Sequence, residues 1–169
     1  AYALVFCAGA YPRRLHIGAV IGVIAASDLW LNAYYASPFT NEQFFNYLAY
    51  AALYFLGRQF RKRTSIWRMI GGGLVGALIF YVVTNTGSWL SEPRYAKTLL
   101  GWWQALTVGL PEWPQSWTFF RNTLLSGSLF SGAMAAMLNA LQSAEPEPEE
   151  AEESEEVSAG TPDEEKAGV

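Results

Sequence analysis

Long apolar runs, broken at short polar turns, set the pattern of this chain. A first run, Ala1 to Tyr11, stops at Pro12, Arg13 and Arg14. A second spans Leu15 to Tyr35 with one acid, Asp28, and ends in the turn-forming stretch Ser37 to Asn41. The third, Phe44 to Phe60, is rich in Tyr and Phe and closes on the basic cluster Arg58, Arg61, Lys62 and Arg63. A fourth covers Ile66 to Leu90, and a fifth Ser116 to Leu141. A bilayer core of about 30 Å needs around 20 apolar residues in a helix, so all but the first are read as spans. Thr98 to Pro114 holds an apolar stretch too short for that, which predicts a re-entrant or interfacial segment.

The expected fold class is therefore all-α. It is a polytopic membrane helical bundle, with five segments present in residues 1–143 and a sixth expected in the full-length protein. The first segment resembles the end of a longer apolar helix, so further N-terminal sequence is expected.

Within the fourth run, IFYVVTNTGSW introduces Thr84, Asn85, Thr86 and Ser88 into an apolar helix. Amides at membrane depth need a partner on another helix or in a hydrated cavity, so this part of the helix is expected to face the bundle interior. Candidate partners are Asp28, Arg121, Asn122 and Thr123. For Asp28 and Arg121, an ion pair locking two helices and a contact to substrate both remain open, as does snorkelling of Arg121 to the interface.

Charge separates the chain into two parts. Residues 1–143 carry ten Lys and Arg against four acids, a net +6, whereas residues 144–169 carry one Lys against eleven acids, a net −10. The mean hydropathy of +0.12 averages over that division and understates the apolar character of the body. Dense like charge with few large apolar residues predicts a disordered acidic tail. In the body, the Arg13–Arg14 and Arg58–Arg68 turns share one side if every long segment spans. The positive-inside rule makes that side cytoplasmic. The turns at 36–43 and 91–115 are then external, with Trp89, Trp102, Trp103, Trp113 and Trp117 forming an aromatic belt there. Localisation in a bacterial inner membrane, with the tail cytoplasmic, is the expectation.

Small residues indicate where helices pack. Gly72, Gly73 and Gly76, and Ser128, Gly132 and Ala136 at four-residue spacing, are the expected close-approach surfaces. The glycine cluster lacks the Lys-Ser/Thr of a phosphate loop. The lone Cys7 excludes an intrachain disulfide and a multi-cysteine metal site, and the single His16 reads as an interfacial residue. GSLFSG has no histidine at its depth to activate a serine, so no catalytic set, metal or cofactor is expected.

The ordered set SDLWLN, YVVTNTGSWLSEPRYAKTLLGWW and PQSWTFFRNTLLSGSLF resembles a family of small, uncharacterised bacterial integral membrane proteins. The matching positions include Asp28, Thr84, Asn85, Trp89, Tyr95, Lys97, Thr98, Arg121, Asn122 and Thr123. That family more distantly resembles the S components of energy-coupling factor (ECF) vitamin transporters, which are six-helix proteins. The resemblance implies capture of a small molecule at the external face and association with an ATP-driven module. It leaves the acidic tail outside the shared pattern. Asp28, Asn85, Trp89, Tyr95, Lys97, Arg121 and Asn122 are the candidate ligand-binding residues. An anionic or amide-bearing ligand would suit Arg121 and Asn85. The alternative is a non-catalytic accessory subunit of a larger membrane complex; nucleic acid is not an expected partner.

Overall fold

A computed structural model describes residues 1–36, 39–60 and 65–143. The bases Arg61, Lys62 and Arg63, and the acidic tail from 144, lie outside the described residues. Those described form six helices and no strand: α1 (Tyr2–Ala10), α2 (Ile17–Tyr34), α3 (Asn41–Arg58), α4 (Ile66–Ser91), α5 (Leu99–Leu106) and α6 (Ser116–Ser143). Residues Ala1–Leu138 pack as one compact unit.

Helices α2, α4 and α6 are long and apolar enough to cross a membrane. Helix α3 has 18 residues, as many as α2, but opens on Asn41, Glu42 and Gln43 and carries Asn46 and Arg58, which dilute its apolar character. Its start is fixed locally. Thr40 Oγ1 accepts from Gln43 N, and Gln43 Oε1 accepts from Thr40 N, a capping box that satisfies two backbone donors and begins the helix three residues before its apolar run. The same Gln43 exchanges two amide hydrogen bonds with Asn32 near the end of α2, at 3.2 and 3.1 Å. The polar corner between α2 and α3 is thus closed by side chains.

The nine-residue α1 is the most enclosed helix. In α1 every residue from Val5 to Ala10 is buried, and its side chains contribute to two hydrophobic clusters. Val5 and Ala8 pack with Val20, Ile24, Tyr50 and Leu53, while Phe6, Cys7 and Ala10 pack with Met69 and Ala135. Backbone contact makes this possible: a Cβ on Gly9 would lie 2.3 Å from Tyr54 O, and one on Gly57 2.1 Å from Phe6 O. Only glycine at both positions lets α1 and α3 touch main chain to main chain.

Residue pairings give the directions. Gly87 meets Phe45, Gly76 meets Leu53 and Gly72 meets Phe60, so α3 and α4 are antiparallel. Tyr81 stacks on Phe120, Gly73 meets Ser131 and Gly132 meets Ile70, so α4 and α6 are antiparallel too. Helix α1 runs with α3 and α6, because Tyr2 lies beside Gly127 and Phe80 whereas Ala10 lies in the cluster with Ala135. The turns holding Arg13, Arg14, Arg58 and Arg68 therefore gather at one end of the bundle, as the charge pattern requires. The end of α4, α5 and the start of α6 lie at the other.

The expected packing glycines Gly72, Gly73, Gly76 and Gly132 all sit against a neighbouring helix. The α6 seam is shifted from its expected register. Gly127, Ser131, Gly132, Ala135 and Leu138 are buried, while Ala136 is exposed and Ser128 bonds back to Leu124 O on its own helix. Tyr2 sets this rotation: its ring fills the space over Gly127, and its hydroxyl donates to Thr123 O.

Candidate functional site

The polar run of α4 resolves into separate tasks. Thr84 Oγ1 returns to Phe80 O at 2.8 Å, and Thr86 Oγ1 accepts from Trp102 Nε1 at 2.9 Å. Asn85 Nδ2 donates to Tyr81 O at 2.9 Å, leaving Oδ1 without a hydrogen-bond partner among the described residues. Asn85, Ser88 and Glu92, spaced by three and four residues, share one face of the final turns of α4. That face borders a pocket of about 330 Å³.

Helix α5 completes the frame. Thr98 caps it by accepting from Gly101 N at 3.2 Å, and it descends beside α4 so that Trp102 meets Thr86 and Leu106 O accepts from Tyr81 Oη. An eight-residue helix rises only about 12 Å, so this segment enters beside α4 and turns back without crossing. Gly109, at φ 71°, makes the return; a Cβ there would also meet Ser116 Oγ at 2.9 Å. The loop then brings Leu110, Trp113 and Pro114 to the pocket, α6 brings Ser116 and Phe119, and the first turn of α3 brings Glu42.

Tyr95 lies at the pocket's inner wall, 7% exposed, against Trp89, Ala105 and Leu110. Its hydroxyl has no hydrogen-bond partner among the described residues. Burial, reinforced by the Glu92 and Glu42 carboxylates and opposed by Arg94, pushes its phenol above the ordinary value. Arg94 is held firmly at the rim. Its Nε and Nη2 donate to the two Glu92 carboxylate oxygens at 2.9 and 3.1 Å, and Nη1 donates to Glu112. Those bonds hold the Glu92 carboxyl down to about 2.

Of the residues expected to bind ligand, Asn85 and Tyr95 line this pocket. Trp89 and Lys97 support it from behind. Trp89 Nε1 donates to Ala96 O at 2.9 Å, while Lys97 Nζ donates to Trp89 O and Glu92 O and lies 5.9 Å from the Trp89 ring centroid. Lys97 thereby caps the orphan carbonyls of α4, where its charge opposes the negative end of the helix.

Asp28 and Arg121 are not brought together. Asp28 Oδ2 accepts from Tyr47 Oη at 2.9 Å, and exposed Arg121 lies over Trp117 at 5.8 Å. A neutral phenol on α3 therefore takes the place expected for the arginine, which turns outward from α6 along with exposed Asn122. Glu42, Ser88, Glu92, Arg94, Trp113, Ser116 and Phe119 had not been singled out as pocket residues. Helical spacing from Asn85 points to Ser88 and Glu92; the others are reached only through the antiparallel packing and the returning loop.

The model of a family of unknown function, DUF6580, matches residues 1–149. The chain belongs to that family. No curated protein and no solved structure matches it. For this DUF6580 member, the all-helical architecture with three span-like helices is that of a membrane protein by helix length and composition.

Proposed function

We propose that this DUF6580 protein is a small-molecule-binding subunit of an uptake transporter, similar in role to the S component of an ECF-type system. The observation that carries the reading is the 330 Å³ pocket at the Trp-rich end of the bundle. Its polar groups converge from α3, α4 and α6 beside Tyr95, Trp113 and Phe119, so that polar contacts can orient a small molecule against aromatic faces. By the positive-inside rule, the opposite end with its clustered arginines faces the cytoplasm and the pocket opens outward. This orientation suits capture of a solute before an ATP-driven partner moves it across the inner membrane.

A second reading, a non-catalytic accessory subunit, draws on α2. Only Val20 and Ile24 of that helix are buried, and Leu29, Trp30 and Tyr34 are 70%, 72% and 73% exposed. Such a face suits lipid or the flank of a larger complex equally.

Purification in mild detergent, followed by mass spectrometry for copurifying proteins and small molecules, tests both readings. Recovery of an ATPase module together with a solute displaced by Asn85→Ala supports the transporter subunit. A stable complex with no bound solute, unaffected by Asn85→Ala, supports the accessory role.

A further inference from the structure

The chemistry of the pocket narrows its ligand to one class, and this step rests on the binding reading above. Glu42 and Glu92 contribute carboxylates to the lining, Asn85 contributes an unpartnered Oδ1, and Tyr95 contributes an unpartnered hydroxyl oxygen on a side chain that is 7% exposed. The Tyr95 ring is packed away while its hydroxyl oxygen stays accessible, so it can take a hydrogen bond from a bound molecule. The Tyr95 hydroxyl is not among the sealed polar atoms of the core, and the nearby pocket is where a ligand can satisfy it.

Arg94 is the cation at this pocket, and it is already occupied. Three of its donor groups are committed to Glu92 and Glu112, so it forms a neutralised rim and not a free anion receptor. Glu42 has no such counterion among the described residues; it sits in the exposed first turn of α3. Among the lining residues, Glu42 and Glu92 against Arg94 give the pocket a net charge of −1. Trp113 and Phe119 add aromatic faces, which attract cations through their quadrupoles and also cover apolar groups.

We infer that the pocket formed by Glu42, Asn85, Glu92 and Tyr95 takes a small organic cation, an ammonium group carried on an apolar or aromatic body. The ammonium donates to Glu42, to Asn85 Oδ1 and to the Tyr95 oxygen, while the body lies against Trp113 and Phe119. This assignment reverses the charge expected from Arg121, because Arg121 lies over Trp117 and is not among the pocket's lining residues.

The test uses the full chain in detergent and three probes of one shape: benzylammonium, benzyl alcohol and benzoate. Binding is measured by calorimetry for the wild type, Glu42→Gln and Tyr95→Phe, and the unliganded thermal midpoint of each variant checks its fold. The expected order is benzylammonium tightest. Glu42→Gln should weaken it about tenfold, the effect of one charge-assisted hydrogen bond, and leave benzyl alcohol unchanged. Tyr95→Phe keeps the packed ring and should weaken benzylammonium severalfold. Tighter binding of benzoate, or unchanged benzylammonium affinity in folded Glu42→Gln, overturns the cation assignment while the pocket reading stands. Failure of all three probes to bind the folded wild type overturns the pocket reading and this inference with it.

Discussion

Tyr47 on α3 donates its hydroxyl hydrogen to Asp28 Oδ2 on α2 at 2.9 Å. Helix α2 has few buried side chains, so this bond and the Asn32–Gln43 amide pair are its principal polar ties to α3. Removing the donor should cost about 1–3 kcal/mol, the range for leaving one hydrogen-bond partner unsatisfied. Tyr47→Phe is therefore expected to lower the unfolding free energy measured in detergent. Because Arg121 lies elsewhere, Asp28→Asn and Arg121→Gln should be additive in a double-mutant cycle. A coupling above about 0.5 kcal/mol would show that they interact after all.

Glycines on this chain should differ sharply in their tolerance. Gly57→Ala places a methyl 2.1 Å from a main-chain oxygen, where no flexible side chain can yield. Overpacking of this kind costs about 1–3 kcal/mol or more, and α1 and α3 must separate to relieve it. Gly71 has nothing within 4 Å of a would-be Cβ, so Gly71→Ala should be neutral or stabilise by about 0.5–1 kcal/mol through helix propensity. Thermal midpoints of the two variants, measured side by side, check the contrast.

Acid should loosen the pocket rim in a defined window. The Glu92 carboxyl is held at about 2, below its ordinary 4.5, by Arg94. Its contribution to stability is then complete above about 4.5, declines as pH falls, and is gone below about 2. Wild type and Glu92→Gln should differ in thermal midpoint at neutral pH and converge as pH approaches 2. A difference that persists unchanged at pH 2 would place the contact's value elsewhere. The bridge is open to solvent, so raised salt should also narrow the difference.

Sidedness follows from the antiparallel order. Ser65→Cys, before α4, and Pro93→Cys, after it, should lie on opposite faces of the membrane. In a background with Cys7 replaced, an impermeant maleimide added to intact cells should label Pro93→Cys alone, and permeabilisation should expose Ser65→Cys. The reverse pattern would invert the proposed orientation.

Much of the fold is legible in the sequence because lipid imposes simple rules. Apolar run lengths locate the helices, and Thr98 to Pro114 declares its failure to span by length alone. The small residues Gly72, Gly73 and Gly76 mark a contact face, yet Gly9 and Gly57, whose approach is closer, lie far apart in sequence and gave no local signal. Ala136 was misplaced because three-residue and four-residue spacings alternate along a packed helix, and strict four-residue spacing drifts off its face. The apolar pattern starts the third run at Phe44, whereas the capping box of Thr40 and Gln43 begins α3 at Asn41, a polar signal that hydrophobic run length does not register. The site was harder. Asn85 and Tyr95 stood out as polar groups beside apolar runs, whereas Glu42 becomes relevant only when antiparallel packing sets the first turn of α3 against the last of α4. Asp28 and Arg121 invited pairing by charge, although a tyrosine one helix away satisfied the acid first.

The burial of α1 also bears on how the molecule is built. This helix emerges from the ribosome before the rest of its own surroundings, yet its packing partners lie on α3, α4 and α6. Membrane insertion proceeds from the N-terminal end, so α1 must wait, with Gly9 and the faces of Val5 and Phe6 uncovered, until most of the chain has been synthesised. The contacts that enclose α1 are therefore completed only when α6 arrives, and chains interrupted before α6 should expose Phe6, Cys7 and Ala10 to membrane quality control.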